Sequence, residues 1–127
     1  MSKSKNVIIS PHVDDELLGS FSFLNSETTV IETGVDEFHV VNRDERLGEL
    51  DKLANHCNFN YVILDNKVNN FEIKSLIDSY EELLNKLQPN LVLIPYPSYN
   101  QDHRAVYDAA LVALRHHDTN HFVKKVV

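Results

Sequence analysis

The sequence predicts an α/β fold built on a mainly parallel sheet, and three features carry that reading. Short aliphatic and β-branched runs recur along the chain: Val7-Ile8-Ile9-Ser10, residues 28–33, Tyr61-Val62-Ile63-Leu64 and Leu91-Val92-Leu93-Ile94. The best of these runs lack polar alternation, as expected of strands covered on both faces. Between them lie longer stretches whose apolar residues repeat at helical spacing, so that strand and helix alternate four times.

Taken in order, Val7 to Ser10 form the first strand. A polar loop follows, and Leu17, Leu18, Phe21 and Leu24 then fall on one helical face. Residues 28–33, rich in Thr, Val and Ile, make a second strand ended by Gly34. Residues 35–42 admit either a loop or an extra strand at 38–41. Leu47, Leu50, Leu53, Ala54 and Cys57 fit a helix that stops near Asn58. Tyr61 to Leu64 form the third strand. Leu76, Ile77, Tyr80, Leu83, Leu84 and Leu87 make the best amphipathic stripe, closed by Pro89. The fourth strand, Leu91 to Ile94, is ended by Pro95 and Pro97. Val106, Ala109, Ala110, Ala113 and Leu114 mark a fourth helix ending near Arg115, and Phe122-Val123-Lys124-Lys125-Val126-Val127 begins a fifth strand.

No internal repeat or linker divides residues 1–127, so a single domain is expected. Right-handed crossovers order its strands 3-2-1-4-5, a Rossmann-like three-layer sandwich. The direction of winding then reverses between the first and fourth strands, and ligands of open α/β sheets bind at the carboxyl ends of the strands flanking that point.

Composition narrows the function. The chain of 127 residues, 43% hydrophobic and 24% charged, suits one ordinary globular domain. A formal charge of -7 argues against a general nucleic-acid binder, which needs clustered Lys and Arg. The single Cys57 excludes an intrachain disulfide and a cysteine-based zinc knuckle. The apolar runs are far shorter than the roughly twenty residues of a membrane span. The basic start, Met-Ser-Lys-Ser-Lys, is not followed by a signal-peptide core, so a cytoplasmic location is expected. Gly19, Gly34 and Gly48 form no glycine-rich phosphate loop.

The two loops at the predicted crevice hold the densest polar chemistry: Pro11-His12-Val13-Asp14-Asp15-Glu16, and Asn100-Gln101-Asp102-His103-Arg104. Two imidazoles and a carboxylate are a common ligand set for catalytic zinc or non-haem iron. Zinc lowers the pKa of its water to about 7, and a second carboxylate beside it can take the water's proton. Asp14 and Asp15 can supply both roles. Helix capping is the alternative for each acid alone, with Asp14 capping the helix that follows it and Asp102 the fourth helix. Capping does not explain why His12 and His103 converge.

His12-Val13-Asp14-Asp15-Glu16, with Gly19 behind it, resembles the His-Pro-Asp-Asp-Glu motif that opens the PIG-L/LmbE-like zinc-dependent de-N-acetylases. Gln101-Asp102-His103-Arg104-Ala105-Val106 resembles that family's second motif, His-x-Asp-His followed by Arg and a small or apolar helix face. Thr33-Gly34, Arg46-x-x-Glu49 and Pro89 before Leu91-Val92 match as well, so the resemblance spans nearly the whole chain. It implies that His12, Asp15 and His103 bind zinc, or another divalent transition metal. Asp14 would then be the general base, Asp102 would orient a neighbouring side chain, and Arg46 would contact the sugar. The implied reaction removes an N-acetyl group from an N-acetylglucosamine-type amino sugar conjugate, releasing acetate and a free amine.

Three departures from the family pattern stand out. Val13 replaces proline at a position that supplies no ligand. Asn100 stands where many members carry a histidine that stabilises the oxyanion; its amide donates a hydrogen bond but carries no charge. The chain is shorter than typical members, as if lacking their C-terminal portion, and the exposed fifth-strand edge leads us to expect a homo-oligomer. Two rival readings remain open: a truncated or inactive member that binds metal or glycan without turnover, and a metal-assisted phosphoesterase or nucleotide-binding α/β protein. Scarce glycine speaks against nucleotide binding. His116-His117-Asp118 with His121 resembles a second metal cluster, but cationic side chains also suit the end of a helix.

Overall fold

The computed structural model describes residues 5–12, 25–34, 43–66, 71–94, 101–117 and 125–126. The elements are β1 (Asn6–His12), β2 (Thr28–Gly34), α1 (Arg43–Cys57), β3 (Asn60–Asn66), α2 (Ile73–Leu87), β4 (Leu91–Leu93), α3 (Gln101–His117) and β5 (Lys125–Val126). The strand order is β3-β2-β1-β4-β5, and all four pairings are parallel. The fold class is therefore the α/β sandwich that the alternation predicts. The helix expected around Leu17 to Leu24 and the ambiguous stretch 35–42 lie outside the described residues.

Side-chain parity along the strands divides the core in two. Val7, Ile9, Ile31 and Val92 point to one face, where Leu76, Tyr80, Leu84 and Leu87 of α2 and Val106, Ala109, Ala110 and Ala113 of α3 bury them. Ile8, Val30 and Leu93 point to the other, under Leu50 and Ala54 of α1. The two faces explain the uninterrupted apolar runs: a strand covered on both sides has no solvent face to make polar. The three consecutive turns of small residues on α3 let that helix lie close to α2 and β1. A fully buried leucine such as Leu76 or Leu84 contributes about 1.5–3 kcal/mol through area removed from water.

The chain turns are local. After α1, Asn58 takes a left-handed conformation with φ 60, and the Phe59 amide donates back to the Ala54 carbonyl at 3.1 Å. After α2, Gln88 does the same with φ 47, its amide donating to Leu84 O at 2.8 Å. Left-handed caps of this kind satisfy carbonyls that the helix leaves open, and Pro89 then prevents the helix from continuing. Helix α3 runs two residues beyond the end expected at Arg115, through His117. Cys57 is a free, half-buried thiol packed against the α1-side core, in keeping with a small hydrophobe. Among the described residues, no helix is long and apolar enough to cross a membrane.

Candidate functional site

The carboxyl ends of β1 and β4 sit side by side, where the winding direction of the sheet reverses and ligands of open α/β sheets bind. Among the described residues, the β1–β4 pairing ends at Ile8 and Leu93, while β1 continues to His12, which pairs with Gly34 of β2. Helix α3 packs through Val106 and Ala109 against Val7 and Ile9 of β1, so its first turn is held beside this end of the sheet.

Asp102 is the second described residue of α3, lies in its first turn and is fully buried, while His103 beside it is half-buried. His12 ends β1, and Arg46 occupies the first turns of α1; both are described by their backbones. Asp14, Asp15 and Asn100 lie outside the described residues, as do the side chains of His12 and Arg46. The structure thus brings the start of each sequence motif to one end of the sheet, with Asp102 and His103 as its described side chains.

The donor chemistry fits a divalent transition metal. The two motifs at this end offer imidazole nitrogens and carboxylate oxygens and no thiolate, a set compatible with catalytic zinc. Among the described residues alone, no three His, Cys, Asp or Glu side chains gather. Cys57 ends α1, at the opposite end of the sheet. His116 and His117 occupy the last turn of α3, remote from its first.

Two features of the β2 end were not singled out by sequence reasoning. Glu32, in the middle of a β-branched run, is wholly buried. Thr33 Oγ1 lies 2.6 Å from the Tyr80 hydroxyl, joining the end of β2 to α2. Burial pushes the Tyr80 hydroxyl well above its ordinary pKa; the Thr33 hydrogen bond works against this, and the charge of Glu32 adds to it. The acid inside the run was visible in the sequence, but nothing local showed that it would be covered.

A second, polar depression of about 470 Å³ opens between α1 and the amino ends of β2 and β3, bordered by Thr29, Asp51, Asn55, Asn60 and Tyr61. The Tyr61 hydroxyl donates to Asp51 Oδ1 at 3.0 Å. Its pKa is raised, by burial first and then by the hydrogen bond and charge of Asp51. This depression lies at the opposite end of the strands from the crevice.

No protein-family model matches the chain, and no curated protein sequence does so significantly. Solved structures do. The hydratase GalB, which acts on 4-carboxy-2-hydroxymuconate in Pseudomonas putida KT2440, superposes with a TM-score of 0.71 at 16% identity, over 96% of this chain and 59% of that one. The fold is shared with enzymes. A triple mutant of a deacetylase of the teicoplanin biosynthetic pathway matches with a TM-score of 0.68 at 17% identity, over 89% of this chain and 60% of its own. The A40926 pseudoaglycone deacetylase Dbv21 matches with a TM-score of 0.68 at 19% identity, over 91% and 60%. This chain spans about three fifths of the length of each neighbour. At these identities the likeness concerns the fold, and the presence of both a hydratase and deacetylases shows that the fold alone does not choose the chemistry.

Proposed function

We propose that the protein is a metal-dependent hydrolase that removes an N-acetyl group from an N-acetylglucosamine-type amino sugar conjugate. The observation that carries the reading is the placement of His12 at the end of β1 next to the crevice that α3 enters with buried Asp102 and half-buried His103. Both motifs resembling the PIG-L/LmbE-like family begin there, and the deacetylases among the structural neighbours support the same reaction class.

In this reading His12, Asp15 and His103 hold zinc or a similar divalent metal. When bound, the ion supplies Lewis acidity toward the amide carbonyl and lowers the pKa of water. Asp14 takes the proton of the attacking water and passes it to the departing amine nitrogen, so that acetate and a free amino sugar leave. Asn100 donates its amide hydrogen to the oxygen on which negative charge develops. Asp102, rigidly placed at the head of α3, orients its neighbours in the crevice, and Arg46 binds the sugar. A set of N-acetylated sugar conjugates, assayed for acetate release with and without chelator, tests the reading. Chelator-sensitive release supports it, and no release from any conjugate by metal-loaded protein overturns it.

The second reading is a domain that binds metal or glycan without turnover, and the uncharged Asn100 favours it. Tight glycan binding by metal-loaded protein, without acetate release, distinguishes it.

A further inference from the structure

The depression beside α1 lies at the end of the sheet that the proposed chemistry leaves unused. Thr29 on its border and Gly34 toward the crevice are about 17 Å apart along β2. A second hollow of about 400 Å³, bordered by Ser26 and Asn58, shares Ala54, Asn55, Phe59 and Asn60 with it. The two form one continuous groove around the turn from α1 into β3. The left-handed Asn58 and the bond from the Phe59 amide to the Ala54 carbonyl fix the backbone of that turn.

The chemistry of the border selects among ligands. Asp51 is the single acid there, and no Lys, Arg or His borders either hollow. A phosphate or other anion therefore finds no counter-charge, and a divalent cation finds one carboxylate toward the six or more oxygens it takes. Ala54 and Phe59 are each only 5% exposed, so they offer little surface to an apolar ligand. What the groove presents is a fixed set of hydrogen-bonding groups. Tyr61 Oη donates to Asp51 Oδ1 at 3.0 Å, and Asn55 Nδ2 donates to Asp51 Oδ2 at 3.5 Å. These bonds tie α1 to β3 and hold three planar groups together. A carboxylate has about four acceptor sites, and an amide two donors and two lone pairs, so these bonds saturate neither.

We propose that this groove is a second ligand site that binds a neutral, hydroxyl-rich ligand, one or two sugar residues of a glycan. Asp51 and Asn55 take adjacent hydroxyls, for which a carboxylate and an amide supply paired acceptors and donors in one plane. The half-buried Tyr61 ring gives the C–H face of the sugar a flat apolar surface. The exposed Asn60 amide bonds the same ligand where the two hollows join. At about 470 Å³ the larger hollow has the size of a small-molecule site. The site is separate from the crevice and does not rest on the proposed deacetylation.

Heteronuclear NMR of the full chain, with chelator present, reads this binding residue by residue without metal or turnover. Cellobiose, lactose and maltose serve as probes, because none carries an N-acetyl group, and propylammonium is the cationic control. At least one disaccharide is expected to give saturable shifts of the Asn55 and Asn60 side-chain amides and the Tyr61 backbone amide, with a Kd of roughly 1 mM. Asp51→Ala and Asn55→Ala should each weaken that binding about tenfold, and Tyr61→Phe, which keeps the ring, about threefold. If Asp51→Ala fails to fold, Asn55→Ala at its exposed position carries the test. No saturable shift by about 20 mM of any disaccharide, shifts confined to the surroundings of Gly34 and His103, binding untouched by Asn55→Ala, or tighter binding of propylammonium each overturns the site. Binding here by protein that releases no acetate retires the proposed activity and leaves this site standing. Acetate release without binding here does the reverse.

Discussion

The hydroxyls of Thr33 and Tyr80 meet at 2.6 Å in buried space between β2 and α2, linking residues 47 positions apart in the chain. Each satisfies the other where water cannot reach, and the contact anchors the end of β2 just before Gly34.

Tyr80→Phe is therefore expected to destabilise the fold by about 1–2 kcal/mol, since the Thr33 hydroxyl loses its partner. Thr33→Val combined with Tyr80→Phe should cost less than the two separate losses summed. The pH dependence has a definite sign. Because the folded-state pKa of Tyr80 lies above the ordinary 10.0, its contribution is fully present below pH 10 and is lost as pH rises from there toward the folded-state value. Urea unfolding between pH 9 and 11 should show wild type losing stability faster than Tyr80→Phe, by up to about 1.4 kcal/mol per pH unit. Parallel pH profiles would refute this.

Two glycines should respond in opposite directions. A Cβ on Gly34 would lie 2.8 Å from the Asn66 carbonyl oxygen and 2.9 Å from the Phe71 ring. Gly34→Ala should destabilise by about 1–3 kcal/mol as β3 and the Phe71 segment are forced aside. Gly48, within α1, has nothing within 4 Å of such a Cβ. Gly48→Ala should stabilise by about 0.5–1 kcal/mol, through helix propensity and a less flexible unfolded chain. Urea midpoints for the two variants decide the matter.

The adjacent acids after β1 should separate in a metal assay. Asp15→Ala removes a proposed ligand and should sharply lower the zinc content of reconstituted protein. Asp14→Asn keeps shape and hydrogen bonding but cannot accept a proton, so it should retain metal and Tm while activity falls roughly 10²–10⁴-fold. If both acids were only helix caps, Asp14→Asn would be nearly silent, because Asn caps as well as Asp. An active Asp14→Asn protein, or Asp15→Ala with full zinc, counts against the assignment.

Asn100→His should raise acetate release, because a protonated imidazole adds charge to the hydrogen bond offered to the developing oxyanion. Initial rates at saturating substrate provide the measurement. An unchanged or lower rate would show that Asn100 serves another purpose.

The periodicity of single segments was enough to place β1 to β4 and the three described helices, and the alternation with right-handed crossovers was enough to order the strands. The same local signals put His12 and His103 at the ends of elements that border one crevice. Whether a polar residue inside a strand is covered, and by what, is not a property of that strand. Thr28 to Thr33 reads as β-branched with one acid in it; only the tertiary packing decided that Glu32 is buried and that Thr33 finds Tyr80 of α2. Gly34 likewise reads as a strand terminator, and only the approach of Asn66 and Phe71 from distant positions makes a side chain there too large. Secondary structure follows from neighbours in sequence, through backbone preference and spacing. Burial and close approach are fixed by which surfaces the tertiary fold presses together.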